Sequence, residues 1–281
     1  MISNDAVVFG ILMVVLGFVF YTSNLRSSFW KKFYTFFPVI LLCYFIPSLL
    51  NTTGIVSPEK SNLYFVASRY LLPTSLVLLT LSVDLKEISK LGSKALIMFF
   101  TGTVGIIIGG PIAIIIVKNL FPNLVSINPE ELARGMTTIA GSWIGGGANQ
   151  TAMKEVFNVD GELFSKMVTV DVLVGNAWLA VLLIGVGKTV FIDKFLGADS
   201  SSVESVKEKI EKYNLSIARI PDLKELIYVL TIGFGITGIS HLIADNIAPY
   251  LLNNFPILEK YSLTSSFFWL IVMATTFGVI L

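Results

Sequence analysis

The chain has 281 residues, of which 54% are hydrophobic and 14% are charged, and its net charge is +1. A soluble domain carries about 25% charged residues, so this composition indicates an all-α polytopic membrane protein with the lipid bilayer as its first partner. The small net charge argues against nucleic acid as a partner. The single cysteine excludes an internal disulfide and a cysteine metal cluster.

Crossing the hydrocarbon core as a helix takes roughly 20 mostly apolar residues. By that measure we expect about eight transmembrane segments, at 5–23, 33–50, 63–84, 95–117, 131–153, 163–187, 223–244 and 265–281. The first segment lacks a basic stretch before it and a small-residue cleavage site after it, so we expect it to be retained. The chain is then a multi-pass protein of the cell membrane, plasma or inner.

The fifth predicted segment contains three consecutive glycines, which weaken a helix. Bilayers tolerate irregular backbone only where it is buried in protein or lines a water-filled cavity. A discontinuous helix exposes N–H and carbonyl groups that bind a solute or an ion. The predicted substrate-binding residues are Ser142, Gly145, Gly146, Gly147, Asn149, Gln150 and Thr151. The alternative is a crossing helix packed tightly through its glycines, with the amides at its polar end.

The distribution of basic residues does not decide whether this segment crosses the bilayer or re-enters on the same side. The positive-inside rule places the loops that contain Arg26 and Lys86 inside. If the glycine segment crosses the bilayer, the basic residues of the later connection at 191–222 lie outside, against the rule. If it re-enters without crossing, that conflict disappears.

Two of the charges inside predicted segments, Asp171 and Arg69, carry the most weight. An acid at the bilayer centre costs about 2.5–3.5 kcal/mol and is functional by default. We therefore expect Asp171, in the sixth segment, to hold a cation or carry a proton, with Asn176 adding an amide oxygen. The alternatives for Asp171 are snorkelling and a pair with Lys166. Arg69 either meets an anionic substrate, neutralises an acid or snorkels to the membrane edge.

The one substantial polar stretch, 191–222, divides an N-terminal membrane bundle, 1–190, from a second membrane part, 223–281. Apolar residues at helical spacing between Val203 and Tyr213 predict a short amphipathic surface helix within it. The chain stops inside its eighth apolar segment, and we expect it to be a piece of a longer protein.

Enzyme chemistry finds little support in the sequence. Gly233 to Gly238 fits a dinucleotide-binding pattern, but it lies inside a long apolar segment, where close helix packing explains it better. The only histidine, His241, cannot share a metal with another histidine. We expect no catalytic residues, no metal and no cofactor beyond Na⁺ or H⁺ as a coupling ion.

Three parts of the chain follow one another as in the YjcL-like integral membrane proteins, a family catalogued as a domain of unknown function. They are Leu81-Ser82-Val83-Asp84-Leu85-Lys86, Gly141-Ser142-Trp143-Ile144-Gly145-Gly146-Gly147-Ala148-Asn149-Gln150, and Asp171. The resemblance runs from about residue 1 to the chain end, and the tryptophan-to-asparagine motif is its most specific part. Family members are longer than this chain, which implies a missing C-terminal portion.

That family is similar in architecture to sodium-coupled carriers of the bile-acid symporter and cation/proton antiporter type. The resemblance implies inverted repeats with unwound helices that cross at mid-membrane. Segments two to six would form one repeat, with Gly145–Thr151 as its crossing element and Asp171 beside it. Segments seven and eight would begin an incomplete second repeat.

We therefore predict an ion-coupled secondary transporter, using Na⁺ or H⁺, that carries a small solute by alternating access. An anion is one alternative for the solute. The leading rival is a membrane scaffold that docks a partner through the 191–222 helix. A channel fits less well, because no ring of acids or filter sequence is present. The oligomeric state stays open, with a homodimer among the alternatives.

Overall fold

The computed structural model describes residues 2–56, 61–83, 92–123, 128–186, 189–197 and 221–281. Its helices are α1 (Asp5–Ser23), α2 (Ser28–Phe36), α3 (Val39–Thr52), α4 (Leu63–Val66), α5 (Leu72–Leu81), α6 (Gly92–Leu120), α7 (Pro129–Gly145), α8 (Gly147–Val156), α9 (Gly161–Val186), α10 (Thr189–Leu196), α11 (Leu223–Asn254) and α12 (Ser266–Ile280). A π-helical turn, Ala67–Leu71, joins α4 to α5, and a 3-10 helix, Pro256–Tyr261, precedes α12. The prediction of an all-helical fold is confirmed for these residues.

Five helices of the described part are long and apolar enough to cross a membrane: Asp5–Ser23, Leu63–Leu81, Leu96–Leu120, Gly161–Leu182 and Leu223–Asn254. Two shorter apolar helices, Leu41–Thr52 and Ser266–Ile280, fall in the second and eighth predicted segments. A multi-pass membrane protein is thus confirmed, whereas the count of eight crossings is not. Asp84 and the predicted surface helix between Val203 and Tyr213 lie outside the described residues.

The second predicted segment, 33–50, is interrupted rather than continuous. α2 ends at Phe36 and α3 begins at Val39, with Pro38 as its N-cap. A proline has no N–H and disfavours the helical conformation of the residue before it. Phe37 accordingly has φ −117° and ψ 89°. The helix that contains 33–36 is therefore separate from the apolar helix that follows.

In the core of the described bundle, α5 and α12 run side by side in the same direction. At one end, the Arg69 guanidinium lies 4.5 Å from the centre of the Phe267 ring. At the other, Gly278 lies so close to α5 that an added Cβ would be 2.9 Å from the Val77 carbonyl oxygen. Glycine at 278 thus permits this close approach.

α11 runs antiparallel to both of these helices and completes the core. Its Gly233 packs on Thr74, since an added Cβ would lie 2.9 Å from the threonine Cγ2 atom. Val77, Ile236 and Ala274 meet in the interior of the three helices. Residues 223–281 therefore belong to the same bundle as residues 63–81. The division of the chain at 191–222 stays a prediction.

His241 of α11 joins two helices at a place that Pro73 prepares. The Arg69 carbonyl would normally accept from the N–H four residues later, but residue 73 is a proline and has none. The His241 Nε2 atom lies 2.9 Å from that carbonyl oxygen. A carbonyl only accepts, so this ring nitrogen donates. The histidine thus has a structural partner in the described fold.

Candidate functional site

The chain reverses direction at the triple glycine. α7 runs beside α9, since a Cβ on Gly135 would lie 3.4 Å from Leu163. α8 folds back along α7, so that a Cβ on Gly141 would lie 2.7 Å from the Met153 side chain. The Lys154 ammonium near the end of α8 is 5.7 Å from the Phe164 ring, again at the start of α9. α7 and α8 therefore form a helical hairpin whose two open ends lie at the same end of the bundle.

This is the re-entrant geometry, one of the two paths that the sequence leaves open. We call Gly145–Gly147 the hairpin tip. Gly146 has φ 86° and ψ −176°, a conformation that is essentially restricted to glycine. A Cβ on Gly145 would overlap the Asn149 side-chain amide, whereas nothing lies within 4 Å of one on Gly147. The backbone at 146 therefore favours glycine, and a side chain at 145 would require the Asn149 amide to move.

Asp171 of α9 lies against the hairpin and accepts hydrogen bonds from both of its helices. The Ser142 hydroxyl donates to its Oδ2 atom at 2.6 Å, and the Trp143 indole Nε1–H donates to Oδ1 at 2.5 Å. The Gln150 amide, 3% exposed, donates to Oδ2 at 3.3 Å. Three uncharged donors therefore hold the carboxylate, two of them from α7 and one from α8.

No cation balances Asp171 among the residues that the structure describes. Lys166, one of the alternatives considered from the sequence, pairs with Glu162 at 2.6 Å instead. Asp171 lies ten residues after Gly161, the first residue of α9, which places it about 15 Å along that helix. The hydrocarbon core is about 30 Å thick. A helix that enters the bilayer near its first residue would thus place this carboxylate, with its neutral partners, near mid-membrane.

A cavity of about 1440 Å³ lies on another face of the hairpin, between it and α5, α6 and α12. Most of its lining is apolar, and Gly145, Asn149 and Met153 belong to it. Trp143 lines the cavity too, and its indole N–H is the group that bonds to Asp171. This one side chain therefore contacts both the cavity and the carboxylate.

The start of α8 offers the cavity backbone donors. α8 begins at Gly147 without a hydrogen bond from a capping side chain, and Ala148 and Asn149 line the cavity. The first N–H groups of a helix have no partner within it and carry a positive partial charge of about half an elementary charge. An anionic group in the cavity would be attracted to this end of α8.

Two residues of the predicted set lie apart from these contacts. Asn176 is on α9, but its amide donates to the Val172 carbonyl of the same helix at 2.6 Å. Five residues along a helix is about 500°, so Asn176 and Asp171 project in different directions. Thr151 likewise bonds within α8, to the Gly147 carbonyl at 3.0 Å. The structure therefore brings Ser142 and Gln150 to Asp171, but not Asn176 or Thr151.

An ionic network fastens the open end of the hairpin to α4. Glu155 of α8 pairs with the Arg69 guanidinium at 2.9 Å and with the Lys154 ammonium at 3.2 Å. The Tyr64 hydroxyl donates to Glu155 and accepts from Lys154. The Glu155 side chain is only 8% exposed. Arg69 thus neutralises an acid, one of the roles that the sequence leaves open for it.

The sequence argument did not single out Trp143, Lys154 or Glu155. Trp143 lies within the glycine motif, and its indole N–H is a donor that needs a partner inside a membrane segment, where water is scarce. Glu155 lies two residues after the predicted fifth segment, 131–153, and an arginine within a span, such as Arg69, requires an acid. A search for a partner for each buried donor and cation would have pointed to these residues.

Comparison with known proteins agrees with a membrane protein and names no activity. A family model described as "Protein of unknown function (DUF819)" matches residues 10–281. The "Uncharacterized membrane protein YjcL" of Bacillus subtilis (strain 168) is 32% identical over 116 residues, which is 41% of this chain and 27% of that relative. The matched stretch thus spans about a quarter of the relative's length. No solved structure matches the chain significantly.

Proposed function

The chain belongs to the DUF819 family of proteins of unknown function, and we propose that the whole protein is an ion-coupled secondary transporter that works by alternating access. The observation that carries the proposal is the hairpin tip. On one face of the hairpin, Ser142, Trp143 and Gln150, which flank the tip, bond to the uncompensated carboxylate of Asp171. On another face, the hairpin borders a large cavity. The solute and the ion would then act on the same short segment of backbone.

The cavity is the proposed solute site. Ligand sites are concave, mostly apolar and lined by a few polar groups that fix orientation. Asn149, Gly145 and the uncapped start of α8 would supply those polar groups. Helix N-termini attract negative charge. We therefore propose a small anionic solute whose charged group lies at the start of α8.

Asp171 is the proposed ion site, with Na⁺ and H⁺ as the two alternatives. Trp143 provides a physical route for coupling, because its ring lines the cavity while its N–H bonds to the carboxylate. A solute that displaces the indole would change the partners of Asp171. Conversely, an ion at Asp171 would change the position of the indole in the cavity.

A re-entrant hairpin also removes the topological conflict. With the hairpin outside the count of crossings, α9 carries the chain to the side that holds the loop at Arg26. The basic residues near Lys194 and Lys224 then lie on the inside, as the positive-inside rule requires. We propose that the ionic network at Glu155 faces the outside of the cell membrane.

Uptake into reconstituted vesicles tests the transporter proposal. The probes are a panel of radiolabelled small carboxylates and amino acids, supplied with an imposed Na⁺ gradient or an imposed pH gradient. We expect gradient-driven uptake by the full-length protein. Asp171→Asn should abolish the dependence on the ion, and Asn149→Ala should weaken solute binding.

Matched controls are available on α11. Asp245→Asn changes an exposed carboxylate, and Asn246→Ala changes an exposed amide that bonds within its own helix to Leu242 at 2.7 Å. Both should leave uptake unchanged. If the Asp171→Asn and Asn149→Ala variants take up solute as well as the unchanged protein does, the transporter proposal is contradicted and the scaffold is favoured. For a scaffold, capture of a partner should depend on residues 191–222.

A further inference from the structure

We infer that the ion bound at Asp171 is a proton rather than Na⁺. This assignment rests on the proposed function and concerns the same site. It follows from the chemistry of the three groups that already contact the carboxylate.

The indole of Trp143 excludes a metal cation from one side of the carboxylate. An indole N–H only donates and has no lone pair for a metal. It lies 2.5 Å from the Asp171 Oδ1 atom, where a bound cation would meet the positive end of the N–H dipole. Na⁺ at this oxygen therefore requires the indole to leave.

Oxygen ligands for a metal ion are also scarce at Asp171. Hard cations in proteins are held by several oxygen atoms. The only side-chain oxygen bonded to Asp171 among the described residues is the Ser142 hydroxyl, 2.6 Å from Oδ2. Gln150 approaches with its NH₂ group at 3.3 Å. Even a rotated amide at Gln150 would leave too few oxygens for a closed shell.

A proton, in contrast, fits with the present partners in place. Transfer of H⁺ from a hydronium ion to Oδ2 breaks one O–H bond in that ion and forms one at the carboxylate. The charge of Asp171 changes from −1 to 0. The new O–H group needs one acceptor. A hydroxyl both donates and accepts, so Ser142 can reverse its role and accept, or the Gln150 amide can rotate and accept through its oxygen. Trp143 continues to donate to Oδ1. Release of the proton to water on the other side restores the carboxylate.

In the described part of the chain, no charged group on the neighbouring helices replaces the proton. Three pairs of charged residues lie on the helices around Asp171: Glu162 with Lys166 on α9, Glu130 with Arg134 on α7, and Lys154 with Glu155 on α8. The other charged residues are distant in the fold: Glu131 near the start of α7, and Asp193 and Lys194 on α10, beyond the end of α9. On α3 the titratable groups are Cys43 and Tyr44, whose ring packs on Phe164. Protonation is thus the available means of removing this charge.

Fluorescence of Trp143 reports the ion without knowledge of the solute. In the full-length protein we would change Trp30, Trp178 and Trp269, and every tryptophan outside these 281 residues, to phenylalanine, so that Trp143 alone emits. A charge at hydrogen-bond distance from the indole alters its emission. We expect the emission to change with pH as a one-proton titration, and to stay constant when N-methylglucamine chloride is replaced by equimolar NaCl. Asp171→Asn should abolish the titration.

Each outcome decides the assignment. An emission change on adding Na⁺ at constant pH, lost in Asp171→Asn, would overturn the proton and leave the transporter proposal standing. A pH-independent emission would overturn it too. A pH titration without any gradient-driven uptake would keep the proton site and contradict the transporter. If Asp171→Asn does not fold, Ser142→Ala replaces it. Loss of this donor to the carboxylate should change the pH dependence of the emission, and an unchanged dependence would contradict the assignment.

Discussion

The three glycines of the hairpin tip have different environments in the fold. In the sequence they are equivalent, and together they predict a helix break. In the fold, Gly146 adopts a conformation that is essentially restricted to glycine, Gly145 accommodates the Asn149 side chain, and Gly147 has open space around it. The break was predictable, but the separate role of each glycine depends on the return of α8 along α7.

Alanine substitutions at the tip should therefore differ although the residues are adjacent. Gly146→Ala should destabilise the protein by about 1–3 kcal/mol, because it forces a side chain into that backbone conformation. Gly147→Ala, the matched control, should be neutral or slightly stabilising, since alanine favours a helix. Denaturant titration of the purified variants in detergent micelles measures both. Equal losses at 146 and 147 would contradict the described tip.

The hydrogen-bond partners of Asp171 were only partly predictable from the sequence. The sequence located an acid near the glycine motif and assigned Asn176 to it as a neighbour on the same helix. The described partners come instead from Ser142, Trp143 and Gln150, on two other helices. Such contacts depend on the crossing of helices, which sequence spacing along one helix does not encode.

At the scale of elements, ion pairs hold the open end of the hairpin, and hydrogen bonds from uncharged donors to the Asp171 carboxylate hold the part near its tip. The ionic network joins α8 to α4 through Glu155, whose side chain is nearly buried. The tip is joined to α9 through Asp171 alone among the described side-chain hydrogen bonds. We propose that the tip can shift while the open end remains fixed.

Removal of one charge from the ionic network tests this attachment. Glu155→Gln leaves Arg69 and Lys154 without their shared acid, and loss of one partner of a buried pair costs roughly 3 kcal/mol or more. Glu162→Gln is the control, because its pair with Lys166 is exposed at 78% and 67% and should contribute less than about 0.5 kcal/mol. Denaturant titration compares them. Similar small losses would show that the network does not hold α8.

At the scale of the whole molecule, hydropathy located the apolar helices of the described part, whereas its count of eight crossings stays a prediction. A window of apolar residues does not distinguish one helix that crosses the membrane from two shorter helices that form a hairpin. The segment 131–153 contains such a hairpin in the fold. Proline at 38 similarly divides a stretch whose hydropathy is continuous. Both differences come from backbone conformation at one or two residues, which an average over twenty residues hides.

Cysteine labelling tests the proposed topology. In a Cys43→Ser background, Glu131→Cys and Glu162→Cys flank the hairpin, and Lys224→Cys precedes α11. We expect an impermeant maleimide to label the first two from the same side of intact cells and the third only after permeabilisation. Labelling of positions 131 and 162 from opposite sides would show that the glycine segment crosses the bilayer, against the hairpin.

The depth of Asp171 has an electrical consequence. One elementary charge moved across the whole membrane changes its energy by about 2.3 kcal/mol per 100 mV. A proton that reaches a group about halfway along α9 passes through about half of that voltage drop, or roughly 1.2 kcal/mol per 100 mV, which is close to a tenfold change in occupancy. The membrane voltage would then set how often Asp171 is protonated, and with it the fraction of molecules ready to bind their solute.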